Sequence, residues 1–319
     1  MQRRSMLGLF ACAAMIRPAF AEEFPSRPIR LVAPFPAGSA TDGISRILAT
    51  DMTATLGQPV LVDNRPGADG IVAAQYVKQA PADGYTVMMG TNSSHAANVS
   101  LYRSLPYDPV ADFAPITRIV AFPLVLVVPR NSPITSVADL IAQAKAEPGK
   151  LSYGSGNTST RGATGLFCLK AGIDAVDIPY RGNPQAITDL IAERLDFMMP
   201  DSATALGQLR GGAVRALAVS MATRVDFLPD VPTLTETGIG EYEFVGWVTA
   251  FAPAQTPPAI IARLNTALVA AIGSPTARGF FEQTGSVASP GTPEQAAAFV
   301  RGEIAQWADV VRRTGMATQ

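Results

Sequence analysis

The sequence predicts an α/β protein with two domains and a cleft between them. Apolar runs of strand length alternate with helical patterns along the 319 residues, and this alternation is typical of mainly parallel sheets covered by helices. A strand, a loop of small residues and a helix start open each half of the chain. Removing a predicted signal of 21 residues from 319 leaves 298, enough for two domains of roughly 150 residues.

The first 21 residues have the pattern of an export signal. They combine an Arg pair, an apolar stretch and Ala19-Phe20-Ala21, a small-x-small cleavage pattern. We expect cleavage after about Ala21, by either the general secretory or the twin-arginine route. The apolar stretch is about half of the ~20 residues that span a bilayer. Cys12 lies well upstream of the cleavage site, where it is not placed for a lipid anchor.

The net charge of the mature chain argues against some classes of binding partner, and its cysteine content bears on thiol reactivity. The full chain has 25 Lys and Arg against 26 Asp and Glu. The signal carries three of the Arg and no acid, so the mature chain has 22 basic and 26 acidic residues, a net charge of −4. This balance argues against nucleic acid or an anionic membrane surface as partner. Cys168 is the one cysteine left after cleavage; its apolar neighbours favour a buried thiol over a reactive one.

Eight strands are predicted from short apolar runs bounded by Gly, Pro or Asp. In chain order they cover residues 29–34, 59–63, 85–90, 124–128, 151–155, 176–179, 196–199 and 214–220. Helices between them follow from apolar residues at three- and four-residue spacing, at 41–56, 71–79, 137–146, 162–171, 184–192 and 203–210. The C-terminal part is more helical. Its helices at 257–272, 275–284 and 293–313 each begin near a proline, which the first turn of a helix accepts.

The chain is expected to pass between the two lobes twice. The candidate crossings are residues 121–129 and 242–253. The first lobe is then discontinuous, with residues 22–122 and 246–319, and the second lobe is the insert 123–245. Two crossings form a hinge, and open α/β sheets place ligands in the cleft that such a hinge closes.

Two small-residue loops between a strand and a helix are candidate anion sites. The first covers residues 36–40, Pro-Ala-Gly-Ser-Ala, followed by Thr41 and Asp42; the second reads LSYGSGNTSTR over residues 151–161. Free N–H groups and the positive end of the helix dipole meet at such a junction. The alternative is an ordinary tight turn in which Thr41 or Ser39 is the N-cap. Two such loops predict a carboxylate or phosphate ligand held at both ends.

The order of the motifs resembles that of the periplasmic solute-binding proteins of tripartite tricarboxylate transporters, the family first named for Bordetella uptake genes. Ten segments carry the resemblance over nearly the whole mature chain: FPSRPIRLVAPFPAGSATD, GQPVLVDNRPGADG, ADGYTVMMGTN, LPYDPVADFAPIT, ADLIAQAKAEPGKLSYGS, VDIPYRGNPQAITDLIAERLDF, VRALAVS, LPDVPTLTETG, GWVTAFAPAQTPP and EIAQWADVV. The resemblance implies a two-lobed fold of the type II periplasmic binding class. It also implies a periplasmic location, a small carboxylate ligand, membrane transporter subunits as partners, and no cofactor. We expect a monomer.

The resemblance also implies a set of ligand-binding residues. In the first lobe they are Pro36, Ala37, Gly38, Ser39, Ala40 and Thr41, together with the strand-end residues Thr91, Asn92 and Ser93. In the second lobe they are Ser155, Gly156, Asn157, Thr158, Ser159 and Asp201, with Arg161 near a position where the family usually has His.

Several polar or aromatic side chains allow more than one interpretation. Arg161 could pair with a ligand carboxylate through its planar fork or could be a solvated helix residue. Asp201 could accept a hydrogen bond from a ligand hydroxyl or amine, or could cap a helix. Asp42 is read as a cap rather than a ligand contact. His95 is the one His in the chain and is read as structural, because no second His or Cys cluster could complete a metal site with it. Trp247 could line the cleft or pack the hinge.

The function predicted from these observations is capture of a di- or tricarboxylate, or a similar organic acid, by lobe closure. An extracytoplasmic sensor is an alternative, since it needs the same ligand-driven closure. An enzyme is less favoured because the sequence has no nucleophile elbow, metal cluster or phosphate loop.

Overall fold

The computed structural model describes residues 24–316. The predicted export signal, residues 1–21, therefore lies outside the described residues. The strands are β1 (Ile29–Ala33), β2 (Val60–Asn64), β3 (Thr86–Thr91), β4 (Phe113–Pro123), β5 (Val125–Pro129), β6 (Ser152–Ser155), β7 (Val176–Pro179), β8 (Phe197–Met198), β9 (Val214–Val219), β10 (Val245–Pro253) and β11 (Val287–Ala288).

The helices are α1 (Ala40–Leu56), α2 (Ile71–Lys78), α3 (Asn98–Leu101), α4 (Val137–Ala146), α5 (Thr158–Ala171), α6 (Asn183–Ile191), α7 (Ser202–Arg210), α8 (Pro258–Ile272), α9 (Pro275–Thr284) and α10 (Pro293–Thr314). A π-helical turn, Ser93–Ala97, leads into α3. Each of the six predicted helices before residue 245 has a counterpart, although α5 begins at Thr158 rather than at residue 162. The earlier start follows from a capping box in which the Asn157 side chain accepts from the Thr160 N–H.

The strands form two sheets. The first has six strands in the order β11-β4-β10-β3-β1-β2, and the second has five in the order β7-β6-β8-β5-β9. The chain passes from the first sheet to the second between β4 and β5 and returns between β9 and β10. This distribution of strands supports the predicted division into a discontinuous first lobe and an inserted second lobe, and we propose that division for this chain.

The expectation of mainly parallel sheets is wrong. β1 pairs in parallel with β2 and β3, and β6 with β7 and β8, but the remaining five pairings are antiparallel. The difference comes from the segments read as crossings. Strands β4 and β10 lie side by side over nine residue pairs from Val245–Pro123 to Pro253–Phe113. β4 leads out of the first sheet and β10 leads back into it, so the two strands run in opposite directions and pair antiparallel, which the alternating helix pattern does not reveal.

Each lobe has its own core. Residues of β1, β3, α1 and α8, among them Leu31, Met89, Ile44 and Leu268, pack together in the first lobe. A smaller cluster around Val127 and Leu190 fills one face of the second sheet. A third cluster contains residues from both lobes, including Phe167 on α5 and Trp307 on α10. The last helix therefore packs on both lobes.

No single helix within residues 24–316 is long and apolar enough to cross a membrane. By length and composition together, only α8 and α9 match a span as a pair, and they meet at a bend of 64°. Leu264 and Leu268 of α8 are fully buried in the first-lobe core.

Candidate functional site

Residues from both lobes line one small cavity, here called the central cavity, of about 30 Å³. Eight of the predicted site residues lie in its wall: Ser39, Ala40, Thr41, Thr91, Asn92, Asn157, Ser159 and Asp201. They come from the carboxyl ends of β1 and β3 and from the starts of α1, α5 and α7. This is the edge at which open α/β sheets place ligands.

The first-lobe wall is built around the N-terminus of α1. Ser39 is the N-cap, and its hydroxyl accepts from the Asp42 N–H at 3.3 Å. The Asp42 carboxylate turns back and accepts from the Gly38 N–H at 2.9 Å. The backbone N–H groups of Ala40 and Thr41 are left without an acceptor among the described residues. These two donors at a helix N-terminus can receive an anion.

Asp42 is held by the fold rather than offered to a ligand. Its carboxylate accepts two hydrogen bonds from Arg46 Nε, at 3.0 and 3.1 Å. Burial would raise the pKa of Asp42, but the hydrogen bonds from Arg46 and the Gly38 N–H outweigh it and lower that pKa. Asp42 therefore stays ionised as the cap that the sequence indicated.

Polar residues after β3 complete this wall. Thr91 is 5% exposed, and its hydroxyl has no hydrogen-bond partner among the described residues. Asn92 links the end of β3 to β10, because its side chain accepts from the Trp247 N–H at 2.8 Å and donates to the Val245 carbonyl at 3.0 Å. Thr91 is thus free to contact a ligand, whereas Asn92 is engaged in holding the strands.

The second-lobe wall includes the N-terminus of α5. The Asn157 side chain accepts from the Thr160 N–H at 2.9 Å, and Thr158 N–H donates across the cleft to Asp69 Oδ1 at 3.1 Å. Among the first three N–H groups of α5, the one on Ser159 has no acceptor in the described chain. This predicted anion site therefore has fewer free donors than the one at α1.

Asp201 and Asn183 form a buried pair in the same wall. Asp201 is the N-cap of α7, as the capping reading predicts, with Oδ1 accepting from the Thr204 N–H at 2.8 Å. Its Oδ2 accepts from Asn183 Nδ2 at 2.6 Å. Sequence reasoning did not identify Asn183. The signal was present, since Asn183 follows β7 and starts α6 just before a proline, much as Thr91 ends β3.

Mainly apolar residues form the rest of the central cavity. Phe35, Phe122, Leu124 and Trp247 line it, together with Gly182 and the polar Thr160. Trp247 was predicted either to line the cleft or to pack the hinge, and it both lines the cavity and is packed, with 1% of its surface exposed. Its Nε1 donates to Glu303 Oε2 at 2.6 Å. The wall is therefore mainly apolar between two polar ends.

Eight predicted site residues lie outside the central cavity: Pro36, Ala37, Gly38, Ser93, Ser155, Gly156, Thr158 and Arg161. Pro36, Ala37 and Gly38 form the turn before α1, and Ser93 begins the π-helical turn. Ser155 and Arg161, together with Gly156, line a second space of about 500 Å³, here called the outer cavity. Phe35 and Asn157 line both spaces.

Arg161 pairs with an acidic side chain of its own lobe. Its guanidinium forms an ion pair with Asp177, with Nε and Oδ2 2.8 Å apart. Ser155 donates to the other oxygen of Asp177 at 2.5 Å. The arginine is therefore engaged on its own lobe, and the expectation of a solvated or ligand-gripping side chain did not foresee this partner.

His95 is a buried structural residue. It is fully buried, stacks on Phe251 with 3.9 Å between ring centroids, and lies with Nδ1 2.9 Å from Ser94 Oγ. Burial lowers the pKa of His95 to about 3. Cys168 is also buried, as predicted, and burial raises the pKa of its thiol to about 12. Within residues 24–316 no three His, Cys, Asp or Glu side chains are grouped so as to hold a metal ion.

Comparison with known proteins identifies the family of this chain. A family model described as "Tripartite tricarboxylate transporter family receptor" matches residues 44–316. Protein BugT of Bordetella pertussis is 35% identical over 315 residues, which cover 98% of this chain and 97% of that relative. The chain belongs to the tripartite tricarboxylate transporter receptor family.

Solved structures similar to this chain confirm the predicted two-lobed periplasmic binding fold. One is "R. palustris Rpa4515 with adipate", 36% identical with a TM-score of 0.90, covering 92% of this chain and 99% of that one. Another is "MatC (Rpa3494) from Rhodopseudomonas palustris with bound malate", 30% identical with a TM-score of 0.84, covering 90% and 100%.

Proposed function

We propose that this chain is a periplasmic receptor that captures a small organic carboxylate between its lobes and delivers it to a tripartite tricarboxylate-type transporter. The observation that carries the proposal is the pair of free N–H groups of Ala40 and Thr41 at the start of α1, which face a cavity walled by both lobes. Adipate and malate, named for two relatives, are both small carboxylates.

Binding by closure is supported by the size and walls of the central cavity. A space of about 30 Å³ holds about two water molecules. The lobes are already in contact beside it, through the hydrogen bond from the Thr158 N–H to Asp69. We therefore expect the lobes to separate to admit a ligand and to close again on it. Small-angle scattering of the protein with and without ligand would measure this change in radius of gyration.

A thermal-shift screen of the mature protein against organic acids tests the binding step. A ligand bound with micromolar affinity adds about 4 kcal/mol of stability at millimolar concentration, a shift of several degrees. Each acid is paired with its amide or ester, which lacks the anion that a helix N-terminus favours. Equal shifts for an acid and its amide, or no shift for any acid, would contradict the carboxylate-receptor proposal.

Delivery to a transporter is tested separately, by uptake. Cells lacking this protein should lose uptake of the acid that binds best, and the wild-type chain with its export signal should restore it. Normal uptake with a lost transcriptional response would favour the sensor alternative instead.

A further inference from the structure

The two polar ends of the central cavity differ in hydrogen-bonding chemistry. At the first-lobe end, two free N–H groups of α1 and the unpartnered hydroxyl of Thr91 can donate. At the second-lobe end, the wall presents acceptors of Asn183 and Asp201 beside one free donor, the Ser159 N–H. Asp69, which lines the adjoining outer cavity, adds a carboxylate at the start of α5.

The side-chain carboxylate of Asp69 binds the N-terminus of α5. Its Oδ1 accepts the Thr158 N–H at 3.1 Å from across the cleft. The backbone of Asp69 is left-handed, with φ 51° and ψ 37°, and its carbonyl accepts from Asn98 Nδ2 at 3.1 Å. Within residues 24–316, no cation forms an ion pair with this carboxylate. The helix end predicted to hold a ligand's second carboxylate is therefore already occupied by a negative charge.

Asn183 leaves an acceptor without a partner. A carboxylate can only accept hydrogen bonds at neutral pH, so the 2.6 Å contact with Asp201 orients the amide nitrogen of Asn183 toward Asp201. Asn183 is 3% exposed, and its Oδ1 has no hydrogen-bond partner among the described residues. A buried acceptor left unpaired costs free energy, which a donor on a bound ligand would recover.

Asp201 adds a second negative charge to this wall. Its two oxygens accept from Thr204 and Asn183, and the residue is 6% exposed in the lining of the central cavity. A second ligand carboxylate at this end would lie beside Asp201 and would compete with Asp69 for the N-terminus of α5, and juxtaposed like charges oppose binding. A hydroxyl, amide or amino group would instead donate to acceptors that are already in place.

We propose that the ligand carries one carboxylate, bound at α1, and a hydrogen-bond donor rather than a second carboxylate at its far end, with Asp69 setting this preference. The proposal rests on the carboxylate-receptor function proposed above. It would set this chain apart from the relatives described with adipate and malate.

Calorimetry with matched probes tests the preference. Succinate is compared with succinamate, and adipate with its monoamide and with 6-hydroxyhexanoate, near pH 7.5, where both carboxylates of each diacid are ionised. We expect the wild-type protein to bind the amide or hydroxy acid at least tenfold more tightly than the diacid of the same chain length. Tighter binding of the diacids would overturn this inference while leaving the receptor proposal intact. Binding of no probe at all would count against both.

A charge-only variant tests the role of Asp69. Asp69→Asn keeps a side chain that tolerates left-handed backbone and can still accept the Thr158 N–H, so only the charge is lost. We expect the ratio of monoamide to diacid affinity to fall at least tenfold. The control is Glu147→Gln, which removes the same charge from an exposed pair with Lys150 on the second lobe and should leave the ratio unchanged. An unchanged ratio in folded Asp69→Asn would overturn the assignment to Asp69.

Discussion

Gly162 on α5 lies so close to Trp307 on α10 that a Cβ atom at Gly162 would come within 2.6 Å of Trp307 Cη2. The two residues belong to different lobes, since α10 packs on β4 of the first lobe and α5 belongs to the second. The Trp307 ring is 2% exposed and meets Phe244 edge to face at 5.4 Å between centroids. The absence of a side chain at Gly162 therefore allows the last helix to close over the second lobe.

Replacing this glycine should destabilise the protein. Gly162→Ala forces the indole or the helix to move, and overpacking of this kind costs about 1 to 3 kcal/mol. The matched control is Gly165→Ala on the same helix, where a new Cβ would meet Thr314 at an ordinary 3.7 Å and alanine favours the helix by about 0.5 to 1 kcal/mol. Urea unfolding of both variants measures the difference. Equal stability of the two would show that α10 yields at Trp307 without cost.

The sequence identified the sites that depend on local pattern. Ser39, one of two N-cap candidates, caps α1, and Asp201 caps α7 as one of its two interpretations predicted; each cap can be read from a few neighbouring residues. Partners from distant parts of the chain could not be read in this way. Asn183 reaches Asp201 over 18 residues, and Asp69 reaches Thr158 over 89. Only the folded structure reveals such pairs.

The missed strands have a related cause. β4 contains Pro115 and Pro123, and proline is unfavourable inside a sheet. The sequence of β10 was read as part of a crossing between lobes, but these residues pair with β3 and β4 in the first sheet. Local propensity does not distinguish a linker from a strand.

Protonation of His95 should couple folding to pH. Because burial lowers the pKa of His95 to about 3, the folded protein keeps this side chain neutral below pH 6.5, whereas the unfolded chain takes up a proton. The free energy of unfolding should therefore fall as pH drops from about 6.5 toward 3, by at most about 1.4 kcal/mol per pH unit from this group. His95→Gln removes the titration. Unfolding curves between pH 4 and 7 should show a shallower pH dependence for the variant, and parallel curves would contradict the assignment.

Arg161 should contribute to stability more than to binding. Its ion pair with Asp177 is partly exposed, and pairs of this kind contribute about 0.2 to 1 kcal/mol. Since Arg161 lies outside the central cavity, Arg161→Ala should change the affinity for the best carboxylate less than threefold. Arg194→Ala, which breaks a more exposed pair with Asp189, is the control for loss of charge on the same lobe. A tenfold loss of affinity in Arg161→Ala alone would place this arginine at the ligand.

Ser39 provides the most direct test of where the carboxylate binds. The residue caps α1 beside the free N–H groups of Ala40 and Thr41, and Asp is as good an N-cap as Ser. Ser39→Asp should therefore fold normally, yet its fixed negative charge would compete with a ligand anion for the same donors, and like charges in contact cost several kcal/mol. We expect calorimetry to detect no binding of the best carboxylate. Ser39→Asn, an equally good cap of nearly the same size without the charge, should retain affinity within about tenfold. Circular dichroism and melting curves of both ligand-free variants establish that they fold. If folded Ser39→Asp binds the carboxylate like the wild type, the anion does not bind at α1 and the receptor proposal loses its main physical support.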